Sequence, residues 1–265
     1  MSQLVKVAVA NGVGEVVLAR PGGNAIDLEI YQTLGEHFVQ LGGRDDVSVI
    51  LLRGEGADFS IGEDMDYLAA LEAEGRFAEW TAQYRGWIAQ LWHNPKLVVA
   101  AVQGRALGIG CELALLADVT FAGAGARFGH PETANGIVTH TVWPWLVGPK
   151  VSKEYLATGR LMTADQAHHF GLINAALPDD LLAEHVERFV ADIATMPKGT
   201  PGANKKRINW AFRDVSRALF DDRFYDVDFD WLVEMRAVDA SFYQSVSKSD
   251  VRTAVRKRDA AFRRG

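Results

Sequence analysis

The chain has 265 residues, enough for one large domain or one domain with an appendage. Hydrophobic residues at 48 % and charged residues at 23 % match an ordinary folded protein and exclude a disordered, collagenous or coiled-coil chain. Acidic residues outnumber basic ones by 34 to 28, which argues against nucleic acid or an anionic membrane as partner and leaves any anionic ligand to a local basic cluster. Val16 to Ala19, Val47 to Arg53, Leu97 to Gln103 and Ala117 to Ala122 are short runs rich in branched residues, bounded by glycine, proline or acids, and they predict strands. Between them, the spacing of Leu28, Tyr31, Leu34, Phe38 and Leu41 predicts a helix from a cap at Asp27, and a second is expected from Arg76 to Trp92. Beyond about residue 150 the strand signal fades. Thr163 is placed to cap a short helix, Pro178-Asp179 to open a longer one, and Pro197 to Gly202 reads as a hinge. From Lys205 onward successive helices are expected, with a conspicuously aromatic content from Trp210 to Tyr243. Strands alternating with helices predict an α/β chain with much parallel pairing.

One cysteine, Cys111, excludes an intramolecular disulfide and a cysteine-rich zinc site and fits a reducing compartment. The first ten residues lack a cationic start followed by an apolar run, so a cytoplasmic protein is expected.

Two glycine-rich turns follow predicted strands. Gly104 to Leu113 resembles a dinucleotide-binding loop only in part: Gly108 and Gly110 have the right gap, but Leu113 stands at the third glycine position. What such a turn supplies is backbone N–H groups aimed at whatever binds there, a setting suited to an oxyanion. Gly54 to Asp64 presents N–H groups in the same way, and Ser60 is no nucleophile elbow because Asp58 stands where that motif needs glycine. Glu112 lies among apolar residues just after the first turn, and Glu132 follows Pro131, where a helix start is expected. Each is either a dipole partner or an acid whose pKa burial would raise. His130 with His140, and His168 with His169, are candidates for an acid-base or metal pair, but their spacing matches no common zinc motif.

The ordered set Asp58-Phe59-Ser60-Ile61-Gly62-Glu63-Asp64, Ala106-Leu107-Gly108-Ile109-Gly110-Cys111-Glu112-Leu113-Ala114 and Ala126-Arg127-Phe128-Gly129-His130-Pro131-Glu132 resembles the crotonase (enoyl-CoA hydratase/isomerase) superfamily. Echoes extend from Arg20-Pro21 to Gly171-Leu172-Ile173. The resemblance implies a crotonase-like spiral of ββα units over residues 1–200, followed by a C-terminal helical trimerisation region over 201–265 that also helps cover CoA. It implies an acyl-CoA substrate, a homotrimer or dimer of trimers, and no metal or cofactor beyond the coenzyme A of the thioester itself. The backbone N–H groups of Ile61 and Ile109 match an oxyanion hole, a fit that requires Ile109 to keep a negative φ. Glu112 and Glu132 match the paired hydratase glutamates, with Glu112 expected to orient and deprotonate water and Glu132 to deliver the α-proton. Gly62, Asp64, Gly108, Gly110, His140, Trp143 and Lys257 are the expected substrate contacts, Lys257 for the CoA phosphates.

Two departures matter. Asp66 stands where many relatives place a lysine, and the stretch after Gly136 carries Thr139, His140, Trp143, Pro144 and Trp145 in place of a glycine-rich turn. The second alters the acyl pocket and keeps isomerisation, thioester hydrolysis, carbon–carbon cleavage and non-catalytic acyl-CoA binding open beside hydration.

Overall fold

The computed structural model describes residues 4–76, 89–135 and 141–214. β1 (Val5–Ala10) and β2 (Val13–Leu18) form an antiparallel hairpin. Asn11 and Gly12 close it at φ 50° and 81°, a two-residue turn whose twist matches that of the strands it joins. β3 (Val49–Gly54), β4 (Leu97–Val102), β6 (Val119–Gly123) and β9 (Ala175–Leu177) extend this hairpin in parallel, giving a six-stranded sheet in the order β1-β2-β3-β4-β6-β9. A second sheet holds β5 (Arg105–Leu107), β7 (Arg127–Gly129) and β8 (Met162–Thr163).

The helices are α1 (Leu28–Gly43), α2 (Met65–Ala73), α3 (Ile109–Leu115), α4 (Trp143–Leu156), α5 (Ala164–Phe170), α6 (Leu182–Ala194) and α7 (Thr200–Ala211). Each early turn of chain runs through a long strand, a short segment of the second layer and a helix. The second layer stacks by single rungs, Ile26 on Glu63 and Ser60 on Ala106, then Ala106 on Phe128 and Phe128 on Met162. This is the expected spiral of ββα units.

β3 shows why the central strands read as continuous apolar runs. Ile50 and Leu52 join the core under α1, where Ile30, Tyr31, Leu34, Phe38 and Leu41 are buried; Val49 and Leu51 face the other way, against Leu182, Val186 and Val190 of α6. Both faces are covered, so alternation gives no polar side.

Asp27 caps α1 by accepting from the Ile30 N–H at 3.0 Å, and Thr163 forms a capping box with Gln166 on α5. The helix after Pro178-Asp179 opens as a 3-10 turn before α6. Strands β8 and β9 lie where the strand signal had faded; they are two and three residues long, too short for a period. Of the helix expected over 76–92, residues 89–92 are helical and 77–88 lie outside the described residues.

The hinge expected at Pro197 to Gly202 is a tight joint. α7 begins at Thr200, and a Cβ at Gly202 would lie 2.0 Å from the Pro95 carbonyl oxygen. Lys205 fastens α7 to the core, with its Nζ 2.8 Å from Asp118 Oδ2 and donating to the carbonyls of Leu91 and Lys96 at 3.2 Å. Beyond α7, residues 215–265 lie outside the described residues, and with them most of the expected trimerisation region. Among the described residues no helix is long and apolar enough to cross a membrane.

Candidate active site

The two turns singled out in the sequence meet at one end of the sheets. Asp58 ties them together, accepting from the Arg105 N–H and Nε at 2.9 Å through Oδ1 and from Nη2 at 2.7 Å through Oδ2. The Arg105 guanidinium holds the Asp58 carboxyl below the usual carboxylate range. The fit is close. A Cβ at Gly62 would lie 2.8 Å from the Leu107 carbonyl oxygen, and one at Gly110 would lie 2.6 Å from Ser60 Cβ. Asp64 caps α2, accepting from the N–H groups of Asp66 and Tyr67 through Oδ1, while Oδ2 takes Arg20 at 2.5 Å. Arg20 also holds Asp27 at 2.6 Å, so the Asp64 side chain serves to fix this loop to α1.

Gly108 turns the chain into α3 at φ 51° and ψ −125°, a conformation suited to glycine. Only Asn11 and Asn24 among described non-glycine residues have positive φ, so Ile109 meets the requirement set for it. Both N–H groups matched to the oxyanion hole are nevertheless engaged. The Ile61 N–H donates to the Gly23 carbonyl at 2.9 Å, and the Ile109 N–H points at Glu63 Oε2 at 3.4 Å.

Behind this turn lies a line of charge. His130 is buried, with Nε2 2.9 Å from Glu112 Oε1 and Nδ1 2.9 Å from Glu132 Oε1. A neutral imidazole carries one N–H and would turn a lone pair toward the other carboxylate. A neutral imidazole facing one protonated carboxyl satisfies both contacts, and so does an imidazolium between two carboxylates, which donates an N–H to each. Burial opposes that charge, but Glu132, Cys111 and Glu112 outweigh it and lift the His130 pKa well above its ordinary value. Burial pushes the adjacent Cys111 thiol up, which suits packing and not nucleophilic attack.

Glu112 is almost wholly enclosed, at 2 % exposure. Besides His130 it accepts from Thr141 Oγ1 at 2.8 Å and from the Val142 N–H at 3.0 Å. Its oxygens are thus occupied by protein donors, which is not the open setting expected of a group that orients water. The Glu132 side chain is 12 % exposed and stands at the front of the line, in a 3-10 turn over Pro131–Asn135. Glu63, which the sequence reading left without a role, completes the cluster. A Cβ at Gly108 would lie 2.7 Å from Glu63 Oε2 and 3.4 Å from both oxygens of Glu132, so the two carboxyls face one point. Burial and the neighbouring Glu132 push the Glu63 pKa up to about 7.

Trp143 is fully buried. Its ring meets His130 edge-on at 5.9 Å between centroids and Tyr155 at the same distance, so it backs the histidine. Trp145 is half exposed. His140 and Lys257 lie outside the described residues. Neither Glu63 nor His130 was assigned a task from the sequence.

The chain is similar to known proteins over most of its length. The model of the enoyl-CoA hydratase/isomerase family matches residues 8–223. The carnitinyl-CoA dehydratase of Proteus mirabilis (strain HI4320) is 34 % identical over 200 residues, covering 73 % of this chain and 76 % of that protein. An enoyl-CoA hydratase/isomerase structure from Xanthobacter autotrophicus Py2 superposes with a TM-score of 0.89 at 27 % identity, over 98 % of this chain and 99 % of the other. An enoyl-CoA hydratase from Mycobacterium smegmatis does so with a TM-score of 0.84 at 25 % identity, over 98 % and 95 %. A family model matched over most of the chain, a relative 34 % identical over 73 % of it and structures that superpose on the whole spiral place this chain in the enoyl-CoA hydratase/isomerase family of the crotonase superfamily.

Proposed function

We propose that the protein adds water to, or removes it from, the C2–C3 bond of a 2-enoyl-CoA thioester. The observation that carries this reading is the Glu132–His130–Glu112 line, whose open end, Glu132, faces Gly108 in the turn that leads into Ile109. Addition of hydroxide at C3 moves negative charge onto the thioester oxygen, where N–H donors stabilise the enolate; losing one such donor typically costs about 10²–10³ in rate. Glu132, the more open carboxylate, accepts the proton of the attacking water and, once protonated, delivers that proton to C2 of the enolate. Glu112, locked by Thr141 and Val142, holds His130, and His130 holds Glu132. The pair of glutamates then acts as one unit through the imidazole. The names of the relatives, a hydratase and a dehydratase, support addition or removal of water as the reaction type.

In the same reading, Lys257 takes the CoA phosphates, the aromatic C-terminal helices pack in a trimer or dimer of trimers, and the 139–145 segment favours a bulky acyl group over crotonyl. Light scattering at micromolar concentration tests the assembly; a monomer counts against it. Loss of the enoyl-thioester absorbance on a panel from crotonyl-CoA to cyclic enoyl-CoAs tests the reaction. Glu132→Gln and Glu112→Gln are each expected to lower kcat by at least about 10²-fold, with the double variant far from multiplicative. Wild-type turnover in either single variant removes that residue from the scheme.

A further inference from the structure

The hydration scheme leaves Glu63 unused, yet its carboxyl is the group held against the turn that carries the Ile109 N–H. Oε2 lies 3.4 Å from that nitrogen and meets Glu132 across Gly108. Ile109 N–H is the donor a thioester oxygen needs, so the side chain and the substrate compete for one hydrogen. We propose that the Glu63 carboxyl is an internal occupant of the thioester-oxygen position, which an acyl-CoA displaces on binding, and that Glu63 thereby sets how tightly the protein takes its thioester. The inference rests on the acyl-CoA reading above.

The chemistry gives the competition a direction. An ionised carboxylate is the stronger acceptor for an N–H and repels the oxyanion that forms beside it; a protonated carboxyl does neither to the same extent. The groups that face Glu63 are Glu132 from the 3-10 turn, His130 from the end of β7 with Glu112 behind it, and the Ile109 N–H from α3. Asp64, its chain neighbour, is neutralised by Arg20. Burial and Glu132 bring the Glu63 pKa to about 7, so the occupant gains charge within the neutral range. If the thioester binds only when Glu63 is protonated, affinity falls about tenfold between pH 6 and pH 8.

Two measurements on the full chain test this. Calorimetric titration compares butyryl-CoA with S-butyl-CoA, a thioether that lacks the carbonyl oxygen, at pH 6 and pH 8. Glu63→Ala is expected to bind butyryl-CoA about tenfold more tightly than wild type at pH 8 and to leave the thioether within about twofold, while Glu63→Gln removes the pH dependence. An equal gain for both compounds, or no gain for butyryl-CoA, overturns the proposal. The second measurement needs no ligand. The ¹⁵N–¹H signal of Ile109 is expected to titrate near pH 7 in wild type and to stay fixed in Glu63→Gln; a wild-type signal that ignores pH, or one that still titrates in the variant, overturns the occupancy. A titrating Ile109 signal together with no binding of either CoA compound upholds the occupancy and rejects the acyl-CoA reading, so the two failures are distinct.

Discussion

Glu63→Gln is expected to stabilise the protein, and to do so increasingly as pH rises. The carboxyl titrates near 7 in the folded chain against 4.5 as its ordinary value, because it is enclosed and stands opposite Glu132. A folded-state pKa above the unfolded one means that stability is fully present below 4.5 and falls as pH rises toward the folded value. At about 1.4 kcal/mol per pH unit that interval is worth about 3 kcal/mol, and the partial solvent contact of the residue reduces the expectation to about 2 kcal/mol. Glutamine keeps the shape, loses the charge and offers an N–H to Glu132. Urea unfolding of the two proteins at equal concentration, at pH 5 and at pH 8, reads the difference directly. The variant should lead by about 2 kcal/mol at pH 8 and by well under half of that at pH 5. An advantage of the same size at both pH values, or a less stable variant at pH 8, would refute the reasoning that a strained carboxylate sits at this turn.

His130→Gln removes the cation between two enclosed carboxylates and should cost about 3–5 kcal/mol. Because the His130 pKa is raised on folding, the gap to wild type should be widest near pH 6 and narrow as pH climbs toward the folded value; a gap that is constant up to pH 9 argues against a shared imidazolium. Gly108→Ala places a Cβ 2.7 Å from Glu63 Oε2 on a backbone of φ 51°, and should cost about 1–3 kcal/mol in unfolding assays together with at least about tenfold in kcat/KM. Neutral behaviour in both would mean that the turn is looser than the geometry implies. Lys257→Glu should raise KM for acyl-CoA at low salt, where charge is least screened, and unchanged affinity there would remove the residue from the CoA site.

The parts of the fold that were legible are those whose residues decide their own surroundings. β3 and β4 announce themselves because both faces are buried, and α1 because Asp27 caps a regular apolar stripe. β1 was missed although Asn11-Gly12 is a strong hairpin signal, since its own residues are mostly exposed and give little hydrophobic pattern. β5, β7 and β8 exist through pairing with one another, which no window of two or three residues can encode. The site divides in the same way. Glu112 and Glu132 were visible as a motif, whereas Glu63 gains meaning only when the turn after β3 is laid against the turn after β4, bringing it to a residue 46 positions away. His130 was weighed with His140 as an acid-base or metal pair. Its actual partners are the glutamates that the same reading had already singled out.

The Lys205–Asp118 pair makes the boundary expected at residue 200 a poor place to cut. The Lys205 side chain is 3 % exposed and that of Asp118 13 %, and Asp118 also receives the Val98 N–H at 2.7 Å at the start of β4. A chain ending before α7 would keep every strand of both sheets but leave an enclosed carboxylate facing no cation, at the head of the strand that runs on into β5 and Gly108. Truncation there would be felt at the Gly108 turn as well as at the C-terminus. The last described helix is electrically part of the core, and any subunit contact made by the residues beyond it pulls on a segment anchored to the frame of the site.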